Sequence, residues 1–274
     1  MYEILYRSKL GRCIASILAR PGISRAAGLI MDSAVSRVMI KPFIKTNQID
    51  MREAAPKAYT SFNDFFTRCL IDGARPFEKD KNILPSPCDG LLSVYPVTQK
   101  GIFTVKGTPY TLETLLEDKA LSEAFEGGWA LIFRLTPSHY HRYAFPDNGR
   151  IVKMKRIQGV FHTVRPEALE SLPVFKTNTR EYMCLETENF GRMIYMEVGA
   201  TMVGRIQNDV TYGNFSRGQE KGRFEFGGST VILITEKGTC APLDEMIKAS
   251  DAGKEYPVKM GQSVCQRPKY GDNQ

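Results

Sequence analysis

The sequence predicts an α+β fold, mainly β: an antiparallel core of sandwich or barrel-like form with an N-terminal amphipathic helical segment. Three observations lead there. From residue 91 onward, short apolar and β-branched runs recur between turn residues, a spacing that suits an antiparallel sandwich or barrel better than a parallel α/β sheet. Residues 1–46 instead show helical periodicity and hold most of the positive charge. Late in the chain, Val231-Ile232-Leu233-Ile234 reads as a buried strand directly after Phe226-Gly227-Gly228-Ser229-Thr230.

Composition sets the outer bounds. The 274 residues allow one large domain, or one domain of residues 47–274 with residues 1–46 as an appendage. Hydrophobic content of 42% and charged content of 24% belong to an ordinary globular protein rather than a disordered one. The six cysteines are scattered and form no Cys-x-x-Cys pair, and charges interrupt the N-terminal apolar positions where a signal peptide would need a run. Reduced thiols in a cytoplasmic protein are therefore expected, not a disulfide framework or a zinc site. With only His139, His141 and His162 available, no histidine-rich metal site is expected.

The charge is concentrated at one end. Residues 1–46 carry eight Lys/Arg against Glu3 and Asp32, which is +6 of the chain's +7. A nucleic-acid protein would more often place basic and aromatic residues on the folded domain itself, so no nucleic-acid partner is expected. Leu10, Ile14, Ile17 and Leu18 follow helical spacing until Pro21-Gly22, and Ala27, Ile30, Ala34 and Val38 do so until Lys41-Pro42. Neither stretch is long enough to cross a bilayer. Basic amphipathic helices of this kind suit either an anionic membrane surface or packing on the domain with solvated charges.

The remaining elements follow in order. Ser61 stands three residues before Asp64, the signature of a capped short helix carrying Phe65, Phe66 and Leu70, with Gly73 and Pro76 ending it. Leu84 to Gly90 turns the chain into a strand at 91–94. Further strands are expected at 102–105, 129–135, 151–157, 193–198, 202–206 and 230–235, with short helices at 111–126 and 166–170. After about residue 240 the chain reads as a polar tail, frayed over Gly271 to Gln274.

Two stretches carry possible chemistry. A strained Gly-Ser bond can rearrange: the hydroxyl of Ser229 attacks the carbonyl of Gly228, and amide becomes ester. Elimination then leaves a dehydroalanine that hydrolyses to a ketone, a pyruvoyl group. On these five residues alone, a β-bulge or turn before a core strand is the better account of the glycines. The second stretch runs from Thr136 to Gly149 and holds two histidines. On an extended backbone His139 and His141 would point to one face. An Asp–His–Ser relay using Asp89, His141 and Ser229 is possible in principle, and a hydrogen-bonded structural role for His141 is its alternative.

Together the motifs form a family pattern. The chain resembles phosphatidylserine decarboxylases, pyruvoyl-dependent enzymes that convert phosphatidylserine to phosphatidylethanolamine. The resemblance runs from about residue 60 to 236. It covers Phe65-Phe66-Thr67-Arg68 with Arg75-Pro76, Ser86-Pro87-Cys88-Asp89-Gly90 and Tyr140-His141-Arg142. It continues through Asn178-Thr179-Arg180-Glu181, Val198-Gly199-Ala200-Thr201 with Val203-Gly204, and Phe226 to Thr230, in the family's Gly-Gly-Ser-Thr branch. The resemblance implies self-cleavage between Gly228 and Ser229. A β chain of 1–228 and an α chain of 229–274 would then stay paired, with further homo-oligomerisation left open. It implies a pyruvoyl cofactor made from Ser229, with Asp89 assisting and His141 handling protons during decarboxylation. Phe65 and Phe66 would meet acyl chains, and Arg68 or Arg142 a phosphate or carboxylate. A bilayer substrate also favours the membrane reading of the N-terminal helices, as a peripheral protein on the cytoplasmic face.

One position departs from the pattern. The family reads Tyr-His-Arg-x-His, and its second histidine is the base that activates the serine; here that position is Ala144. Either His141 or another histidine such as His162 takes over, or the chain does not mature, or the alanine was introduced to trap the uncleaved form. Two rival functions follow: an uncleaved protein that binds anionic lipid without turnover, and a decarboxylase of a soluble amino acid.

Overall fold

The computed structural model describes residues 9–200, 205–226 and 229–268. Gly228, Thr201, Val203, Gly204, most of the strand expected at 202–206 and the frayed end at Gly271–Gln274 lie outside the described residues. The fold is α+β and mainly antiparallel β, as expected, but its sheets do not close into a barrel.

The N-terminal segment forms α1 (Lys9–Leu18), α2 (Pro21–Asp32), a 3-10 stretch at Ala34–Met39 and α3 (Ile40–Asn47). Pro21 ends the first helix and also starts the second, at the position where a missing N–H costs nothing. Pro42 does not terminate the helical region, because it falls within the first turn of α3. The apolar stripes face outward. Ala15 of α1 and Ala19 just after it are buried, whereas Ile14, Ile17 and Leu18 are exposed, as are Ile30 and Val38 further on. The segment's inner side contributes Met31, which packs with Ile49, Phe62, Phe65 and Phe66. The last three lie on α4 (Phe62–Phe66), whose first turn is capped by the Ser61 hydroxyl accepting from the Asp64 N–H at 3.1 Å.

The core is an eight-stranded antiparallel sheet. Its strands are β1 (Gly90–Pro96), β2 (Trp129–Leu135), β3 (Gly149–Ile157) and β4 (Arg180–Thr187). The others are β5 (Arg192–Gly199), β6 (Gly213–Phe215), β7 (Ser229–Thr235) and β8 (Tyr256–Val258). They lie in the order β6-β3-β4-β5-β7-β2-β1-β8. Both faces of the central strands are covered, which explains the unbroken apolar run of β7: Val231 and Leu233 enter one core cluster, Ile232 and Ile234 the other.

Three expectations give way to tertiary context. The helix expected at 111–126 is two short helices, Leu112–Leu116 and Lys119–Glu123, divided where Glu117 takes a left-handed conformation at φ 50°. The strand β4 was not expected, since Arg180, Glu181 and Tyr182 look polar in sequence yet are buried in the sheet. The polar tail is also structured. It forms a helix at Asp244–Asp251 and β8, and a strand at Ser263–Gln266 pairs with Ile83–Pro85.

Candidate active site

Antiparallel order gathers the site at one end of the sheet. Ser229 opens β7 there, opposite Leu135 at the end of β2 and Gly199 at the end of β5. β1 begins at the same end: Leu91 faces Arg134, which puts the Asp89-Gly90 turn beside the exit of β2. Residues from four distant stretches meet because neighbouring strands start where their partners stop. At position 199 a Cβ would lie 3.0 Å from the Phe161 ring, so a side chain there would push the ring back by a few tenths of an ångström.

Ser229 is fully buried, and its Oγ has no hydrogen-bond partner among the described residues. A buried hydroxyl without a partner is costly, on the order of 1–3 kcal/mol, and Thr230 and Thr235 on the same strand share the feature. Its side chain shares the sheet face of Val231 and Leu233.

His141 is also fully buried, and its ring lies 4.0 Å from that of Phe66. Its Nδ1–H donates to the His139 carbonyl at 2.9 Å, since a carbonyl can only accept. The neutral ring therefore carries a lone pair on Nε2, and that atom has no partner among the described residues. Burial, reinforced by the nearby Arg68 guanidinium, pushes the imidazole well below its ordinary range and keeps it neutral. His139 has the opposite arrangement. Its Nδ1 accepts from the Thr136 N–H at 2.9 Å, which leaves the proton on Nε2. Residues 136–140 form a turn, so the two histidines do not align as on a strand; the ring of one rests on the backbone of the other.

Asp89 is held by a bidentate Arg75, with contacts of 2.8 and 2.7 Å, and accepts from the Met260 N–H at 2.8 Å. Arg75 also pairs with Glu53 at 2.9 Å. Sequence reading counted Arg75 as a motif position without a role, and only the fold shows it fixing the Asp89 carboxylate. Ala144 is nearby: its N–H donates to the Pro87 carbonyl at 2.8 Å, next to the Asp89 turn.

His162 approaches from the far side of β7. Asn178, buried in the motif that begins β4, accepts from the His162 N–H at 3.0 Å and donates to the carbonyls of His162 and Gly199, both at 2.7 Å. The segment is thereby fastened to the strand end that faces Ser229. Burial pushes the His162 imidazole down as well.

The four expected binding residues divide. Phe65 and Phe66 are fully buried in the cluster that backs His141, so they shape the site from behind. Arg142 is engaged by the Thr67 carbonyl at 2.8 Å and by Glu220 at 2.5 Å. Arg68 is different: it is buried over the Phe65 ring, and its Nε and Nη1 have no partner among the described residues. Burial works against its charge, and Tyr59, Tyr140 and Asp89 partly offset this.

Comparison with known proteins gives the family. A family model described as phosphatidylserine decarboxylase matches residues 62–266. "Phosphatidylserine decarboxylase proenzyme 2" of Clostridium acetobutylicum is 40% identical over 263 residues, covering 96% of this chain and 90% of that protein. The "phosphatidylserine decarboxylase proenzyme" of Clostridium tetani is 40% identical over 265 residues, covering 95% and 89%. That of Ruminiclostridium cellulolyticum is 38% identical over 270 residues, covering 96% and 90%. The chain belongs to the phosphatidylserine decarboxylase family.

Proposed function

We propose that this chain is a proenzyme that cuts itself between Gly228 and Ser229 and then decarboxylates phosphatidylserine to phosphatidylethanolamine at an anionic membrane surface. The observation that carries this reading is that the Ser229 hydroxyl, a donor, and His141 Nε2, an acceptor, are both buried without a hydrogen-bond partner among the described residues, neither bonded to the other.

In self-cleavage, His141 Nε2 takes the Ser229 proton as Oγ adds to the Gly228 carbonyl. The C–N bond breaks and the proton passes to the freed nitrogen, leaving an ester. Loss of the Cα hydrogen then expels the Gly228 carboxylate, and water releases ammonia from the resulting dehydroalanine. The pyruvoyl ketone left at residue 229 would supply an electron sink for loss of CO2. His141 Nε2 would take a proton from the lipid's ammonium group and return it to the carbon that lost CO2. Arg68 would hold an anionic group of the serine headgroup. The cut chains have reason to stay together, because β7 lies between β5 and β2 at the centre of the sheet.

For the membrane, support comes from the outward-facing stripes. Leu29 is 72% and Val35 78% exposed, and Arg25, Arg37, Lys41 and Lys45 lie on the same segment. No helix of the described residues is long and apolar enough to cross a bilayer, and the proposed attachment is peripheral, at the cytoplasmic face.

Intact mass and a denaturing gel test the reading directly. Wild type should give chains of 1–228 and 229–274, the smaller with a blocked N-terminus, and should release CO2 from phosphatidylserine vesicles. Ser229→Ala should remain whole and inactive. A wild-type chain that stays whole and releases no CO2 would overturn this reading.

A further inference from the structure

We infer that the cavity between α2 and Phe226 binds the phosphodiester of the lipid substrate, a role that rests on the decarboxylase reading above. The cavity holds about 430 Å³, enough for a headgroup. Ser24, Arg25 and Leu29 of α2 form one side; Asn63, Arg205 and Phe226 form the other. A phosphodiester offers one negative charge and only acceptor oxygens, so it needs cationic donors and hydroxyls.

The cavity supplies both. Arg25 makes no ion pair among the described residues and is free to turn inward. Arg205 is held in place by Asp32 and by Glu225, the latter at 2.8 Å, and Glu225 is the one acid in the wall. Arg156, also in the wall, is fixed by Glu181 at 2.5 Å. Ser24 is 1% exposed, and its hydroxyl has no partner among the described residues. Gly28 keeps the way open, since a Cβ there would already stand 3.4 Å from Arg205 Nη2.

Position along the membrane normal follows the order of parts in a glycerophospholipid. Leu29 stands in the wall and is itself largely exposed, and beyond it lie the exposed Ile30, Val35 and Val38, suited to acyl chains. Inside the cavity, Phe226 precedes Ser229 by three residues, so their Cα atoms are at most about 11 Å apart. The serine amine is only a few bonds from phosphorus. A phosphate among these arginines leaves the carboxylate for Arg68.

The test is titration calorimetry on the full chain with dihexanoyl phosphatidylglycerol, a soluble diester that has no serine and cannot be decarboxylated, and with inorganic phosphate. Wild type should bind the diester. Arg25→Gln should weaken it about tenfold or more. Gly28→Leu, which favours the helix but fills the cavity, should abolish binding while thermal unfolding shows an intact fold. Unchanged diester binding in both variants overturns the assignment. Inorganic phosphate that binds as tightly as the diester overturns the lipid source in favour of free phosphate. Failure of the activity is read separately: a chain that binds the diester in the expected way but never releases CO2 refutes the decarboxylase and leaves the cavity standing.

Discussion

His141 donates its Nδ1 hydrogen to the carbonyl oxygen of His139 at 2.9 Å, and this contact decides which ring nitrogen is available for chemistry. Nε2 is left as a buried lone pair. The family's second histidine is Ala144 here, and His141 presents an unprotonated Nε2, the form a general base requires.

His141→Ala should therefore slow self-cleavage by roughly 10²–10⁴, the usual worth of a general base, visible as persistence of a single band. His162→Ala should cleave at close to the wild-type rate, because the structure uses its backbone to fasten Asn178. The reverse pattern would identify His162 as the base. Ala144→His is expected to restore cleavage to His141→Ala, at a packing cost of about 1–3 kcal/mol for enlarging a buried side chain.

Breaking the Asp89–Arg75 pair should cost stability as well as cleavage. Both side chains are nearly inaccessible, and removing one partner leaves a buried charge uncompensated. Arg75→Ala should destabilise by about 3–5 kcal/mol, read as a lower denaturation midpoint. A loss below about 1 kcal/mol would show that water replaces the guanidinium.

Acid should destabilise the fold through its histidines. Burial depresses all three imidazoles in the folded protein, most strongly His141, whereas in the unfolded chain they titrate near 6.5. Above about pH 6.5 both states hold neutral rings and the groups contribute no pH dependence. Below it the unfolded chain takes up protons that the folded one refuses, so stability falls with pH. Urea denaturation at pH 5.5 and 7.5 should show this, and His141→Gln should reduce the difference. Cleavage by His141 should run at a constant rate above pH 6.5. A rate that rises steeply between pH 7 and 8 would exclude this histidine as the base.

The outward stripes should govern membrane attachment. Replacing Leu29, Ile30, Val35 and Val38 together with Gln should release the protein from phosphatidylserine vesicles in a flotation assay without lowering the unfolding midpoint. Salt should weaken wild-type attachment, since exposed charges are screened within about 8 Å at physiological ionic strength. Retained binding in the quadruple variant would move the contact surface elsewhere.

Much of this protein is determined by local sequence. The run 231–234, the capped helix at Phe62–Phe66 and the strand at 129–135 declare themselves because periodicity and capping act over a few residues. Ser229, Asp89 and His141 were legible as candidates because each sits in a short motif next to a turn. Tertiary structure alone decided what these residues touch. The burial of Arg180 and Glu181 in β4, the pairing of the 256–258 strand with β1 and the grip of Arg75 on Asp89 all depend on contacts between residues far apart in the chain. The same holds for the N-terminal stripes: their spacing showed two amphipathic faces but not which would meet the core. Packing chose the small side, Ala15 and Ala19, because a helix of small residues can approach the core closely, and so Ile14, Ile17, Leu29 and Ile30 were left outside.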